Sequence, residues 1–211
     1  MKHFSPSAIA VLVAISLLVL TGLVWTGTAE RFDHVLRQAM LDIDPTGAVE
    51  IWKGVTYLGS GAVIAALTAV FLSALMLLKQ WLSARHVALV MICAVALENA
   101  MKWVVQRPRP DEVIAYAMPA SFSFPSGHAL FATAFYGSFA FIVSAALTGW
   151  FRAVAYVAIA IVVLAIGTSR IFLGVHYPSD VIAGFLAGAL CLTPLFPPPA
   201  SRRTHWDHVM R

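Results

Sequence analysis

Six apolar stretches set the limits on what this chain can fold into. They run over residues 8–27, 55–78, 86–105, 128–148, 152–168 and 179–196. Each is long enough, or nearly so, to cross the hydrocarbon core of a bilayer as a helix, which takes roughly 17–25 residues. The fifth is the shortest. Only 11% of residues are charged and 60% are hydrophobic, whereas a soluble domain carries about 25% charged residues. The expectation is an all-α integral membrane protein, a six-transmembrane-helix bundle built as a single domain over residues 1–211. Trp25, Trp81, Trp103 and Trp150 fall at span ends, as an aromatic belt at the water interface requires.

Other features narrow the class. The formal charge of +4 does not point to nucleic acid, because no basic cluster is interleaved with aromatics outside the membrane. Cys93 and Cys191 lie inside apolar runs without metal-type spacing and read as small buried hydrophobes, with no disulfide expected. The first span follows Lys2 and His3, but the apolar run from Ala8 to Trp25 exceeds the h-region of about 7–15 residues typical of a signal peptide, so an uncleaved first helix is expected. In the loop after it, Phe32, Val35, Leu36, Ala39, Met40 and Ile43 recur at helical spacing, with Glu30, Arg31, Asp33, His34, Arg37, Gln38 and Asp42 on the other face. This predicts an amphipathic helix. It either lies in the membrane plane or packs over the outer ends of the bundle. Pro197-Pro198-Pro199 ends the last span and a polar tail follows. No internal repeat is visible, which gives an inverted-repeat transporter little support.

Against this charge-poor background, three short strings stand out. Lys102 is followed, after six residues, by Arg109-Pro110. Pro125-Ser126-Gly127-His128 opens the fourth span. Ser169-Arg170 precedes His176 by five residues, and Asp180 follows three residues later. Three cations can hold the oxygens of a phosphate. Two histidines can divide the nucleophilic and acid/base roles. A carboxylate can orient one of them. Ordinary structural roles compete with each residue: snorkelling for the basic side chains, helix capping for Ser126, and complementing a helix dipole for Asp180. Snorkelling suffices for Arg107. Ser126 and Gly127 also suit an anion site at a helix start, the glycine allowing close backbone approach. Pro178 suits the first position of the sixth helix, which puts Asp180 in its first turn. Glu98, four residues before Lys102 and at membrane depth, has the spacing of a helical ion pair and reads as a partner that holds Lys102, with Asn99 adding a hydrogen bond, or as a helix–helix contact.

The three strings together resemble the signature of the type-2 phosphatidic acid phosphatase superfamily, the lipid phosphate phosphatases. The match is without gap or substitution, and residues 102–180 carry it. The resemblance implies that Lys102, Arg109, Ser126, Gly127, Ser169 and Arg170 bind phosphate. It implies that His176 is a nucleophile passing through a phosphohistidine, oriented by Asp180, and that His128 is the general acid. It also implies no metal and no other cofactor, and no His/Cys/Asp/Glu cluster has metal-ligand spacing. His3, His34, His86, His205 and His208 are given no role.

The basic residues set the orientation. Lys2, Lys79, Arg85, Arg152, Arg202, Arg203 and Arg211 fall on one side; Arg31, Arg37, Lys53, Lys102, Arg107, Arg109 and Arg170 fall on the other. Setting aside Lys102, Arg109 and Arg170 as site residues breaks the tie and places both termini in the cytoplasm. The loops at 28–54, 106–127 and 169–178 would then face the periplasm or exterior from an inner (plasma) membrane. The expected partners are the bilayer and a lipid phosphate such as phosphatidylglycerol phosphate, phosphatidic acid or undecaprenyl diphosphate. Rivals are a lipid phosphotransferase, a lipid A phosphatase or a sugar-phosphate phosphatase of the same superfamily. Vanadium haloperoxidases share the anion site but are soluble. A transporter that binds a phosphorylated lipid without cleaving it needs the cations but not two histidines.

Overall fold

The computed structural model describes residues 6–43, 49–111 and 120–193, and all regular structure there is helical. The helices are α1 (Pro6–Trp25), α2 (Glu30–Ile43), α3 (Val49–Tyr57), α4 (Gly61–Leu77), α5 (Trp81–Val105), α6 (Gly127–Ser144), α7 (Gly149–Phe172) and α8 (Pro178–Leu192). Lys2, His3, residues 112–119, Pro197 to Pro199 and the basic and histidine residues of the tail lie outside the described residues. The protein is an integral membrane protein. Five helical stretches, 7–25, 49–77, 81–105, 127–144 and 149–172, are long and apolar enough to cross a bilayer.

The expected spans need four corrections. The second is broken at residues 58–60 into α3 and α4. Gly59 sits so close to its neighbours that a Cβ there would meet Ile166 Cγ2 at 2.3 Å and His128 Cδ2 at 3.4 Å. The break therefore brings backbone against His128. Ser60 caps α4 by accepting from Val63 N at 3.4 Å, and Tyr136 Oη donates to the freed Leu58 carbonyl at 3.0 Å. The third span begins earlier, at Trp81. The fifth, expected to be short, is the 24-residue α7 and runs through Ser169-Arg170, which are helical and buried rather than in a loop. The sixth has 15 residues in α8, about 22 Å of helix against a hydrocarbon core of about 30 Å.

The centre of the bundle is the α6–α8 pair. One face of α8 carries Ala183, Gly184, Ala187, Gly188 and Cys191, all buried. A Cβ at Gly184 would lie 2.6 Å from the Ser126 carbonyl, and one at Gly188 2.6 Å from the Leu130 carbonyl. Small residues let helices approach to backbone contact, the packing that works in lipid, where burying apolar surface gives no advantage. That closeness fixes the start of α6 against the start of α8, where Ser126 N donates to the Asp180 carbonyl at 2.9 Å. Cys191 is buried, Cys93 faces outward from α5, and both are free thiols. Trp25, Trp81, Trp103 and Trp150 are exposed at helix ends.

Helix α2 turns its apolar residues outward and its polar face toward the bundle. Phe32, Val35 and Leu36 are exposed, whereas Asp33 and Arg37 are buried. A soluble amphipathic helix turns its apolar face inward. Here the polar face turns toward the bundle because Asp33 has charged and hydrogen-bonding partners there. Its carboxylate accepts from Ser179 N at 2.8 Å and Ser179 Oγ at 2.7 Å, and pairs with Arg107 Nη2 at 2.6 Å.

Candidate active site

Four pieces of chain converge at one end of the bundle. Helix α5 ends at Gln106, whose left-handed backbone (φ 49°) turns the chain out of the helix, its N–H bonding the Lys102 carbonyl. Lys102 therefore sits in the last turn of α5. Its Nζ is 2.6 Å from Glu98 Oε1 and 3.3 Å from Ser121 Oγ. Asn99 does not join this pair; its amide donates to the Val95 carbonyl at 2.8 Å.

Arg109, in the non-helical segment after α5, fastens two loops together. Its Nε donates to the Ser121 carbonyl at 2.8 Å and its Nη1 to the Val175 carbonyl at 2.8 Å. The same Nη1 lies 3.2 Å from His176 Nε2. Burial pulls Arg109 below the usual guanidinium range, with Asp180 and Glu98 opposing, but a guanidinium stays charged in any protein setting.

Ser126 occupies the N-cap position of α6, yet its hydroxyl makes no capping bond. Ser126 Oγ is buried with no protein partner. The capping role expected of it is therefore not what the side chain does. Gly127 has its own reason: a Cβ there would meet Glu98 Oε1 at 2.5 Å. His128, in the first turn, lies within electrostatic reach of Arg170, His176, Arg109 and Lys102.

The last turn of α7 delivers Ser169 and Arg170. Arg170 Nη1 donates to Thr56 Oγ1 of α3 at 2.7 Å, and the Ser169 hydroxyl donates to the Ile166 carbonyl at 2.6 Å. Gly174 (φ 75°) reverses the chain, a backbone shape that favours glycine, and Val175 N returns to the Arg170 carbonyl at 3.2 Å. This turn presents His176, which is almost fully buried. Pro178 then starts α8, and Asp180 reaches back to accept from Tyr177 N at 2.9 Å. Asp180 Oδ2 also lies 3.4 Å from His176 Nδ1 and accepts from Ser123 Oγ. Burial drives the His176 pKa down to about 4, more than Asp180 can raise it.

The geometry thus joins Lys102 with Glu98, Arg109 with His176, and His176 with Asp180. It engages the Ser169 donor within its own helix. It also adds residues that motif reading missed. Arg107, read as an interfacial snorkel, is instead held by Asp180, Ser179 and Asp33 and stacks over the Tyr177 ring at 4.1 Å. Burial opposes its charge, but Asp180 and Asp33 outweigh it and raise its pKa. Ser121, Ser123 and Thr56 each hold a site residue. The two serines lie just before Pro125-Ser126-Gly127-His128, where their nearness in sequence was a usable signal. Thr56 and Asp33 carried none.

A family model for the PAP2 superfamily matches residues 83–199, more than half of the chain and every motif residue. The chain belongs to the PAP2 superfamily. Among its PAP2 relatives, phosphatidylglycerophosphatase B of Bacillus subtilis is 26% identical over 175 residues, 82% of this chain and 86% of that one. The crystal structure of the transmembrane PAP2-type phosphatidylglycerolphosphate phosphatase from Bacillus subtilis superposes with a TM-score of 0.80 at 26% identity, covering 89% of this chain and 94% of that one. A lipid A 1-phosphatase of Rhizobium johnstonii is 39% identical over 102 residues, 44% of this chain and 38% of that one.

Proposed function

We propose that this protein is a metal-independent membrane phosphatase that hydrolyses a lipid phosphomonoester or lipid diphosphate through a phosphohistidine on His176. The observation that supports this most directly is the two-sided setting of His176. Its Nδ1 faces Asp180, and its Nε2 faces Arg109. A proton kept on Nδ1 leaves the Nε2 lone pair for phosphorus. Lys102, Arg109 and Arg170 surround the non-bridging oxygens with charge, and Ser126 Oγ and the Gly127 N–H add donors at the start of α6. Attack forms the Nε2–P bond and breaks the bond from phosphorus to the leaving oxygen, to which His128 gives a proton. His128 then takes a proton from water, whose oxygen attacks phosphorus and frees His176 and inorganic phosphate. Ser169 is a weaker member of this set, and Glu98 holds Lys102.

In this reading residues 1–211 form one membrane-embedded domain with α8 as a sixth span. The α2 segment lies at the membrane interface with Phe32, Val35 and Leu36 toward lipid. The site faces the periplasm or exterior, with both termini cytoplasmic. Phosphatidylglycerol phosphate is the favoured substrate, because the similarity to the Bacillus enzyme extends over most of both chains. Purified protein in detergent should release phosphate from it faster than from phosphatidic acid, undecaprenyl diphosphate or lipid A. Release should persist in excess EDTA and be blocked by vanadate, which mimics the five-coordinate transition state. Activity lost on chelation and restored by magnesium would reject the mechanism. Lipid A turned over fastest would move the protein to that branch of the superfamily.

A further inference from the structure

We propose that Arg107 and Asp33 are positioning residues, which hold the Asp180 carboxylate so that one of its oxygens stays committed to aiming His176. The inference rests on reading His176 as the nucleophile. The two oxygens of Asp180 have separate partners. Oδ1 takes Arg107 Nη1 at 2.8 Å. Oδ2 takes Tyr177 N at 2.9 Å and the Ser123 hydroxyl, and faces His176 Nδ1 at 3.4 Å. A guanidinium set against a single carboxylate tends to bind both oxygens in parallel. Such a fork on Asp180 would compete with His176 for Oδ2. Asp33 prevents it. It takes the other arm of Arg107, Nη2, at 2.6 Å, and its carboxylate is fixed in turn by the backbone and hydroxyl of Ser179. Arg107 Nη1 is further shared with Ser179 Oγ at 2.7 Å.

The charge arrangement favours the same division of tasks. Asp33 and Asp180 are both fully buried, and Arg107 stands between them. Without Arg107 two buried carboxylates face each other across Ser179, and without Asp33 the guanidinium is free to close on Asp180. Helix α2 thereby becomes part of the catalytic framework, although Asp33 is more than a hundred residues from His176 in sequence. Neither Arg107 nor Asp33 is assigned a contact with phosphate: Arg107 is turned to the α2 side of Asp180, and His176 lies on the other oxygen.

The test uses the full-length protein in detergent and the variants Arg107→Gln, Asp33→Asn and the double. Each single variant should lower kcat by at least about 30-fold with KM within about threefold, because the cations around the phosphate are untouched. Arg107→Gln should also melt lower, since it leaves the buried Asp33 and Asp180 carboxylates without their cation. The double removes the Asp33 charge together with the cation and leaves only Asp180 without its guanidinium, so its melting temperature should recover part of the loss seen in Arg107→Gln while kcat stays low. A second readout does not need turnover: 15N chemical shifts of His176 should report the Nδ1–H tautomer in the wild type and a mixture in Arg107→Gln. If kcat recovered with stability in the double, or if KM rose while kcat held, the positioning role would be wrong. An inactive wild type whose His176 tautomer still responds to Arg107→Gln would reject the phosphatase reading and keep this one. An unchanged tautomer would overturn this one whatever the activity.

Discussion

Arg109 Nη1 lies 3.2 Å from His176 Nε2, the atom that the proposed reaction needs as its nucleophile. The guanidinium donates to the lone pair that would attack phosphorus. It thereby selects the tautomer with the proton on Nδ1 and blocks Nε2 from any other donor. As a phosphate enters, the same N–H can pass to a phosphate oxygen and release Nε2 next to the phosphorus. Arg109→Ala should therefore lower kcat by about 100- to 1000-fold, the scale for losing one preorganised donor to a developing charge. Arg109→Lys should recover little of it, since an ammonium cannot also bridge the Ser121 and Val175 carbonyls. Steady-state phosphate release checks both. Near-wild-type kcat in Arg109→Lys would show that charge alone suffices.

The acidity of His176 gives a pH signature. Burial lowers its pKa to about 4 against the opposing pull of Asp180. The proposed nucleophile is neutral above that value, so the acid limb of kcat should fall near pH 4 rather than near 6.5. The stability consequence has a definite sign. The folded pKa lies below the unfolded one, so protonation favours the unfolded chain. Stability is complete above about pH 6.5 and declines as pH falls toward 4, by about 3 kcal/mol in total from this group. Melting temperature against pH, compared between wild type and His176→Gln, isolates that contribution. An acid limb that stays near 6.5 would remove burial as the controlling influence.

The two histidines should separate by leaving group. His176→Ala removes the proposed nucleophile and should abolish turnover of every substrate. His128→Ala should cost least with an aryl phosphate, whose leaving oxygen needs little protonation. If His176→Ala kept activity while His128→Ala were dead on both substrate types, the two roles would have to be exchanged.

How much of this was legible in the sequence depends on how far apart the partners lie. The apolar helices were readable from runs of composition, and the Lys102–Glu98 pair and the placement of Asp180 in the first turn of α8 because each is local, four residues or fewer. The Asp33–Arg107 and Thr56–Arg170 contacts join residues 74 and 114 positions apart, and no spacing rule reaches that distance. The placement of α2 stayed open in the sequence for a different reason. An amphipathic stripe serves a helix in the membrane plane and one packed over the bundle equally well, because in a membrane protein the exterior is itself apolar. Residue type also misled at Ser126, where good capping chemistry stands in the right place without being used.

The α6–α8 contact is open to a test of packing. Gly184→Ala would set a Cβ 2.6 Å from the Ser126 carbonyl, forcing α8 from α6 at about 1–3 kcal/mol. Because Ser126 N and the Asp180 carbonyl meet at that seam, activity should fall together with melting temperature in detergent. Gly22→Ala in α1, where a Cβ meets nothing within 4 Å, is the control and should change neither. Full activity in Gly184→Ala would mean that the seam has room to relax.

Sidedness can be read with a thiol reagent that does not cross membranes. Asp111 follows Arg109 at the site end of the bundle, and Thr148 lies in the turn between α6 and α7 at the other end; both are exposed. The excess of basic residues opposite the site, once Lys102, Arg109 and Arg170 are set aside, predicts Asp111 outside and Thr148 inside. With Cys93 and Cys191 replaced by Ala, Asp111→Cys should be labelled in intact cells, or in spheroplasts where an outer membrane is present. Thr148→Cys should be labelled only after the membrane is opened. The opposite pattern would turn the protein over. His176 and His128 would keep their chemistry, but the substrate would then have to be drawn from the cytoplasmic leaflet.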